Sequence, residues 1–245
     1  MNTTQAGFQG TARKAALLSG ILYITATLAG ILSLAVTGPI REAQDQLGYI
    51  SANERQAVMG ALLVLVMGLA LAMIPVLLFP LLKRHNETLA LGYVVFRSGL
   101  EACIYLAIAV SWLFLIPLSQ AYAASGTSDP LGFQALGAWL LEAEAISSVL
   151  AVVFPLGALM FYSLLYRSRL VPRWLSGWGL VAVIPYMAAG LSVMFGIIDP
   201  LSTVAVLSDF PLALQEMVLA VWLIVKGFNS YPVNFEGSKV VLNPV

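Results

Sequence analysis

Charged residues are scarce in this sequence. Only 10% of its 245 residues are Asp, Glu, Lys or Arg, whereas 60% are hydrophobic and the mean hydropathy is +0.91. Soluble domains are typically about 25% charged, so this composition indicates a membrane protein. The 12 basic and 12 acidic residues cancel. No overall basic field remains to attract nucleic acid, and we expect no nucleic-acid partner.

Cysteine and histidine occur once each. The single cysteine, Cys103, excludes an intrachain disulfide and a thiolate metal cluster. The single histidine, His85, excludes two-histidine haem ligation and histidine-rich hydrolase sites within one chain. The GxxxxGK, GxSxG and HExxH motifs are also missing. We therefore expect no cofactor and no metal, and the sequence leaves enzymatic activity open while favouring its absence.

Long apolar runs are abundant. About 20 residues at 1.5 Å per residue cross the roughly 30 Å hydrocarbon core of a bilayer, and six segments are long enough to do so. These are residues 14–37, 57–82, 89–119, 134–166, 178–198 and 210–228. The sequence therefore predicts an all-α bundle of six transmembrane helices, with 1–245 as a single transmembrane domain and 229–245 as its tail.

The predicted outer loops differ in character. In the first, Ile40, Ala43, Leu47 and Ile50 repeat at helical spacing, with polar residues on the other face. This pattern predicts a short helix lying on the outer interface of the membrane. Residues 199–209 are predicted to form the third outer loop, which connects the last two membrane segments.

Basic residues fall mainly on one side of this topology. Nine of the 12 lie in the inner loops or in the terminal segments, and short loops rich in Lys and Arg stay in the cytoplasm. We therefore expect both termini to be cytoplasmic. The nine residues are Arg13, Lys14, Lys83, Arg84, Arg167, Arg169, Arg173, Lys226 and Lys239.

Three of these arginines stand close together in one inner loop. Arg167, Arg169 and Arg173 are candidates for contact with anionic lipid headgroups, although the topology alone accounts for their presence. The lipid bilayer is the expected partner. Other membrane proteins are candidate partners through helix faces made of small residues, and the sequence assigns no oligomeric state.

Arg97 and Glu101 lie four residues apart within the third apolar segment. A charge at the centre of a membrane helix costs roughly 2.5–3.5 kcal/mol on insertion scales, so it is seldom found there without a partner or a function. The spacing brings both side chains to one helical face, with Ser98 and Tyr105 as candidate lining residues. The pair is either structural or part of a proton or ligand site, and the length of this segment leaves both interpretations open.

The fourth segment contains two acids, Glu142 and Glu144. Glu144 shares a helical face with the small polar residues Ser147 and Ser148, so it is the better candidate for the bundle interior. Residues 145–166 are uncharged, however, and long enough to cross the membrane alone. Both acids can therefore lie at the outer headgroups instead.

Glu216 lies in the sixth segment, roughly 9 Å from its predicted outer end at the helical rise. We expect its side chain to point into the bundle. Arg97 cannot neutralise Glu101, Glu144 and Glu216 together, and a buried carboxylate without a partner either takes up a proton or holds a cation. The candidate polar centre comprises these four residues.

This excess of acid favours a small-solute or proton-linked transporter. One alternative is a non-catalytic structural or regulatory membrane partner, which predicts no cavity at the buried acids. A second alternative is an intramembrane enzyme that acts on lipid by carboxylate acid and base chemistry. That enzyme requires Glu101 and Glu216 to reach a common atom, although unfavourable helix registers separate them by as much as about 17 Å.

The stretch from Leu165 to Ser176, followed by Trp178 and Gly179, resembles the cytoplasmic loop of a bacterial membrane family, domain of unknown function 4386. The resemblance extends over roughly residues 12–228 and is poorest over 39–82. It also rests on Ala12, Arg13, Gly20, Tyr23, Gly30, Arg97, Glu101, Pro211, Glu216 and the stretch from Trp222 to Phe228. Members are six-helix proteins without an assigned activity. The resemblance therefore implies this topology and a bacterial plasma membrane, and it supplies no catalytic residue.

Overall fold

The computed structural model describes residues 3–125, 130–141, 149–200 and 202–229, with side chains described from Gly10 onward except that of Pro130. Within these residues all regular structure is helical, as predicted. The helices are α1 (Thr3–Glu42), α2 (Gln46–Ala52), α3 (Glu54–Leu82), α4 (Glu87–Ala124), α5 (Pro130–Leu141), α6 (Leu150–Ser168), α7 (Arg173–Met194) and α8 (Thr203–Val225).

Six of these helices are long and apolar enough to cross a membrane, namely α1, α3, α4, α6, α7 and α8. Leu34, Leu69, Val181 and Val225 illustrate their outer surfaces, since these side chains are 63–67% exposed. Large apolar patches in contact with water are rare on soluble monomers, whereas lipid accepts them. The chain is therefore a multi-pass membrane protein, and the predicted number of spans is confirmed.

The predicted helix in the first outer loop is confirmed, but it begins later than the pattern suggested. Helix α1 continues through Ile40 to Glu42, and α2 begins only at Gln46. Asp45 caps α2, since its Oδ1 accepts a hydrogen bond from the Gly48 amide at 3.1 Å. The predicted fourth segment corresponds to α5 and α6, and its residues 142–148 lie outside the described part of the chain.

The six long helices form a closed ring. Each packs against two neighbours, in the order α1, α3, α4, α6, α7, α8 and back to α1. Helices α4 and α8 therefore face each other across the centre of the ring. Polar side chains on these two helices meet only if they are long enough to reach the middle.

The two ends of the described chain meet at one end of this ring, which we call the inner end after the predicted topology, and we call the opposite end the outer end. Arg13 on α1 donates hydrogen bonds to the carbonyls of Leu223 at 2.8 Å and Ile224 at 2.6 Å, both in the last turn of α8. Carbonyls at a helix C-terminus lack intrahelical donors, so the guanidinium satisfies them and complements the helix dipole. The side-chain amide of Asn229 donates to the Arg169 carbonyl and its backbone amide donates to the Leu170 carbonyl, both in the α6–α7 loop and both at 2.8 Å.

Glycine allows α1 to approach α8 closely. A Cβ atom at Gly20 would lie 2.6 Å from the carbonyl oxygen of Ala220 and 2.7 Å from a side-chain carbon of Ile224. The first distance is shorter than non-bonded atoms tolerate, and the carbonyl belongs to the backbone. A larger residue at position 20 therefore requires one of the two helices to move.

We expect Gly20→Ala to destabilise the protein by about 1–3 kcal/mol, the usual cost of overpacking a core. Gly10→Ala is the matched control on the same helix, because nothing lies within 4 Å of a Cβ there. Higher helix propensity should make that change neutral or stabilising by up to about 1 kcal/mol. Thermal unfolding of both variants in detergent measures the difference, and equal midpoints would contradict the close contact.

Candidate functional site

Helix α4 changes its hydrogen-bonding pattern where the predicted charged pair lies. Residues Val94–Glu101 form a π-helical segment, with α-helix before and after it. Such segments bond residue i to residue i+5, are rare, and occur frequently at functional sites. Arg97 and Glu101 both lie in this segment and are 4% and 1% exposed.

Arg97 joins two carboxylates. Its Nη1 donates to Glu101 Oε2 at 3.2 Å, and its Nη2 donates to Glu216 Oε1 at 3.2 Å across the ring on α8. The guanidinium also lies over the ring of Phe154 on α6, 4.7 Å from the centroid, where cation–π attraction contributes. The structure thus brings together three of the four residues of the expected polar centre, and we call Arg97, Glu101 and Glu216 the triad.

Glu216 lies near the middle of α8, whereas Arg97 lies in the first third of α4. Arg97 is ten residues from the start of α4 at Glu87, and Glu216 is nine residues from the end of α8 at Val225. At the helical rise these separations are about 15 Å and about 14 Å, or half of the roughly 30 Å hydrocarbon core. The triad therefore lies about half the thickness of that core from the ends of α4 and α8 on the Arg13 side of the ring.

The prediction of the third outer loop was wrong over its second half. Helix α8 begins at Thr203, and Ser202 caps it by accepting a hydrogen bond from the Ala205 amide at 3.3 Å. Glu216 consequently lies about 20 Å from the outer end of its helix, deeper than the sequence suggested. Asp209 belongs to this helix and lies two turns before Glu216.

A cavity of about 220 Å³ lies beside the triad and is not fully enclosed. All six spanning helices contribute to its wall. Among the described residues that line it, three carry carboxylates, Glu101, Asp209 and Glu216, and one carries a guanidinium, Arg97. The described part of the cavity wall therefore contains two more acidic groups than basic groups.

Two buried atoms of the triad lack a hydrogen-bond partner among the described residues, Arg97 Nε and Glu101 Oε1. Tyr105, one turn after Glu101, lies close enough to interact with this carboxylate, but it makes no hydrogen bond of acceptable geometry to Oε1. An unpaired buried polar atom is unfavourable, and such atoms call for an explanation by water, an ion or a ligand. A donor and an acceptor are thus both unused at this site.

A second cavity of about 260 Å³ adjoins the first. Met67, Tyr105 and Leu150 line both cavities and form their common wall. The second cavity continues along α1 past Ser33 and Thr37 towards the end of the helix opposite Arg13. The two cavities together extend from the triad towards that outer end of the ring.

Buried tyrosines fill the core on the other side of the triad. The hydroxyls of Tyr23 and Tyr93 are 3.4 Å apart. The Tyr162 hydroxyl donates to Gln215 Oε1 at 2.6 Å, and Gln215 Nε2 donates to the Leu175 carbonyl at 3.1 Å. This inner polar layer, formed by Tyr23, Tyr93, Tyr162 and Gln215, connects α1, α4, α6 and α8 between the triad and the inner end.

Residues 18–227 match a protein family described as a domain of unknown function, DUF4386. The chain belongs to this family. Comparisons with curated proteins and with solved structures find no match. Membership agrees with the resemblance seen in the stretch from Leu165 to Ser176, and it carries no assigned activity.

Two residues predicted to line the site of this DUF4386 protein have different environments. Tyr105 lies in the wall of both cavities. The Ser98 hydroxyl instead donates to the Ala72 carbonyl at 2.6 Å and fastens α4 to α3. The other acidic and serine candidates, Glu142, Glu144, Ser147 and Ser148, lie outside the described residues.

The loop arginines of this DUF4386 member are exposed at the inner end of the ring. Arg167, Arg169 and Arg173 all present their side chains at the surface, and the Arg173 guanidinium lies over the Tyr166 ring, 5.3 Å from its centroid. Their contact with lipid headgroups stays a prediction.

Sequence reasoning missed Asp209, Tyr186 and Phe154, which also line the first cavity. A signal for Asp209 was present, because it precedes Glu216 by seven residues and so shares its helical face. The two aromatic residues gave no such signal, since apolar rings are common throughout these helices.

Proposed function

We propose that this protein is a proton-linked transporter of a small solute, with the triad at its centre. One observation carries the proposal: the cavity beside the triad has three carboxylates and one guanidinium among the described residues of its wall. Ionisable groups inside membrane segments mark ion pathways and proton relays, and solute sites of many transporters lie near the midplane.

The excess of carboxylates provides a basis for coupling the movement of protons to the movement of the solute. Arg97 holds Glu101 with one amino group and Glu216 with the other, so a change at one carboxylate leaves the other paired. A proton and a solute that compete for the same carboxylate oxygen cannot be bound there together. Release of one upon binding of the other is the exchange that a proton-linked transporter requires.

Access to the site supports the same function. The two adjoining cavities provide space on the outer side, whereas the inner polar layer fills the core on the other side. Transport requires this layer to open while the outer side closes, and discontinuous helices commonly accompany such changes. Helix α4 is continuous, but its π-helical segment Val94–Glu101 departs from α-helical bonding and carries two members of the triad, as such segments often do at functional sites.

We propose that the inner end of the ring faces the cytoplasm and that the membrane is a bacterial plasma membrane. Arg13, Arg169, Arg173 and Lys226 lie at that end with the two ends of the described chain, in agreement with the preference of basic residues for the cytoplasmic side. The bacterial location follows from the family resemblance.

The two alternatives are weaker. A purely structural partner predicts no cavity at the buried acids, yet one lies beside the triad. An intramembrane enzyme is compatible with the proximity of Glu101 and Glu216, because both contact Arg97. We favour transport because the two adjoining cavities extend from the triad towards the outer end of the ring, as a solute path requires and acid and base chemistry on a lipid does not.

Reconstitution tests the proposal. In vesicles that contain the purified protein and an entrapped pH-sensitive dye, we expect at least one class of small solute to change the internal pH within seconds. Solutes should be offered as a panel of cations, anions and neutral molecules of similar size. Empty vesicles should show no such change, and protein vesicles that behave like empty ones with every class would overturn the proposal.

A further inference from the structure

We infer that the solute is a small protonated amine with an apolar body, and that its ammonium group donates a hydrogen bond to Glu101 Oε1. This inference rests on the proposed function, because it names the substrate class of the same site.

The unpartnered oxygen of Glu101 gives the strongest indication. Glu101 is 1% exposed, Arg97 occupies its Oε2, and its Oε1 lacks a hydrogen-bond partner among the described residues. A ligand that donates an N–H to Oε1 removes this unfavourable state. A quaternary ammonium has no N–H to donate, so the geometry favours a protonated amine that carries at least one N–H.

The charges of the wall select a cation over an anion. Among the described residues of the wall, Glu101, Asp209 and Glu216 face the cavity together with one guanidinium. Both amino groups of that guanidinium already donate to carboxylates, and two carboxylates outweigh its single positive charge. An anionic ligand would therefore meet a net negative wall and an arginine already engaged by carboxylates, whereas Nε, which lacks a partner among the described residues, can donate to one neutral oxygen or water.

The size and lining of the cavity indicate an organic ion. Its volume is about 220 Å³, larger than the roughly 150 Å³ apolar cavity that accommodates benzene. Phe154, Tyr105 and Tyr186 supply aromatic surface, which attracts both apolar groups and cations. In the described part of the chain, no three Asp, Glu, His or Cys side chains are grouped closely enough to hold a metal ion.

Three ligands with the same ring test the inference on the purified full-length protein in detergent at neutral pH. Benzylammonium, benzyl alcohol and benzoate differ mainly in charge, and isothermal titration calorimetry measures their affinities. We expect benzylammonium to bind at least tenfold more tightly than benzyl alcohol, and benzoate to show no binding. Equal or tighter binding of benzoate or benzyl alcohol would overturn the inference.

The hydrogen bond to Glu101 has its own test. Benzyltrimethylammonium carries the same charge without an N–H group, and we expect it to bind at least tenfold more weakly than benzylammonium. Glu101→Gln should weaken benzylammonium binding at least tenfold, and Asp209→Asn, at a half-buried position, should weaken it severalfold. Glu87→Gln, an exposed carboxylate at the inner end of α4, should bind like the original protein.

These results separate the inference from the proposed function. Binding of benzylammonium without any amine-driven pH change in vesicles would overturn transport and leave the amine site intact. A pH change driven only by anions or neutral solutes, with no amine binding, would overturn the substrate class and leave transport intact. If Glu101→Gln fails to fold, an unchanged affinity in Asp209→Asn together with equal binding of the two ammonium ions overturns the inference.

Discussion

Arg97→Met is expected to remove about 3–5 kcal/mol of folding free energy, the typical loss when one partner of a buried ion pair is deleted. The guanidinium is the donor shared by Glu101 and Glu216, and its removal leaves two carboxylates in the core without a counter-charge. Methionine keeps an unbranched apolar chain that can pack on Phe154, so the loss arises mainly from charge. Denaturant unfolding in detergent, or the yield of folded protein after extraction, measures it.

Two further variants show whether charge is the cause. Combining Arg97→Met with Glu101→Gln and Glu216→Gln leaves no unpaired charge, so most of the lost stability should return. Arg97→Lys should give an intermediate result, because a compact ammonium cannot span two carboxylates as the planar guanidinium does. If Arg97→Met alone is as stable as the original protein, the triad does not hold α4 to α8.

Features that depend on composition and local spacing could be predicted from the sequence. Six apolar segments were long enough to span, and a spacing of four residues was enough to pair Arg97 with Glu101. The start of α8 was misplaced because Pro200 and Asp209 resemble loop residues in an apolar sequence. Asp209 is tolerated within the helix because it faces the cavity rather than lipid.

The arrangement across the ring could not be predicted in the same way. Hydrophobic periodicity indicates which face of a helix is buried, but it does not say that α4 lies opposite α8. The bond from Arg97 to Glu216 joins residues 119 positions apart, and the bonds from Arg13 to α8 join residues 210 and 211 positions apart. Such contacts depend on the order of helices in the ring.

The π-helical segment also lay beyond sequence reasoning. Residues Val94–Glu101 contain no proline, and their composition fits an ordinary α-helix. Helix α4 packs against α3 on one side and α6 on the other, and this packing determines which of its side chains face the centre of the ring. A π-helical turn changes the direction in which the following side chains point. The position of this segment at Arg97 and Glu101 is the feature of the site that the sequence indicated least.

Glu216→Gln is expected to abolish proton-linked transport in vesicles while the protein stays folded. The glutamine Oε1 can still accept a hydrogen bond from Arg97 Nη2, Glu101 still neutralises the guanidinium, and position 216 is 18% exposed. The loss of stability should therefore stay near about 1 kcal/mol, the size of one exchanged hydrogen bond. The variant no longer has a carboxylate at this position that can take up and release a proton.

The dependence on pH distinguishes loss of this exchange from general damage. In the original protein, protons compete with a cationic solute for carboxylate oxygens, so solute binding should weaken as the external pH falls. In Glu216→Gln, vesicle transport should fall to the level of empty vesicles, and any remaining binding should depend less on pH. Glu87→Gln, which changes an exposed carboxylate outside the cavity, should keep the original transport rate and pH profile. Retained transport with an unchanged pH profile in Glu216→Gln would remove this residue from the coupling, and failure to fold would make its carboxylate structural.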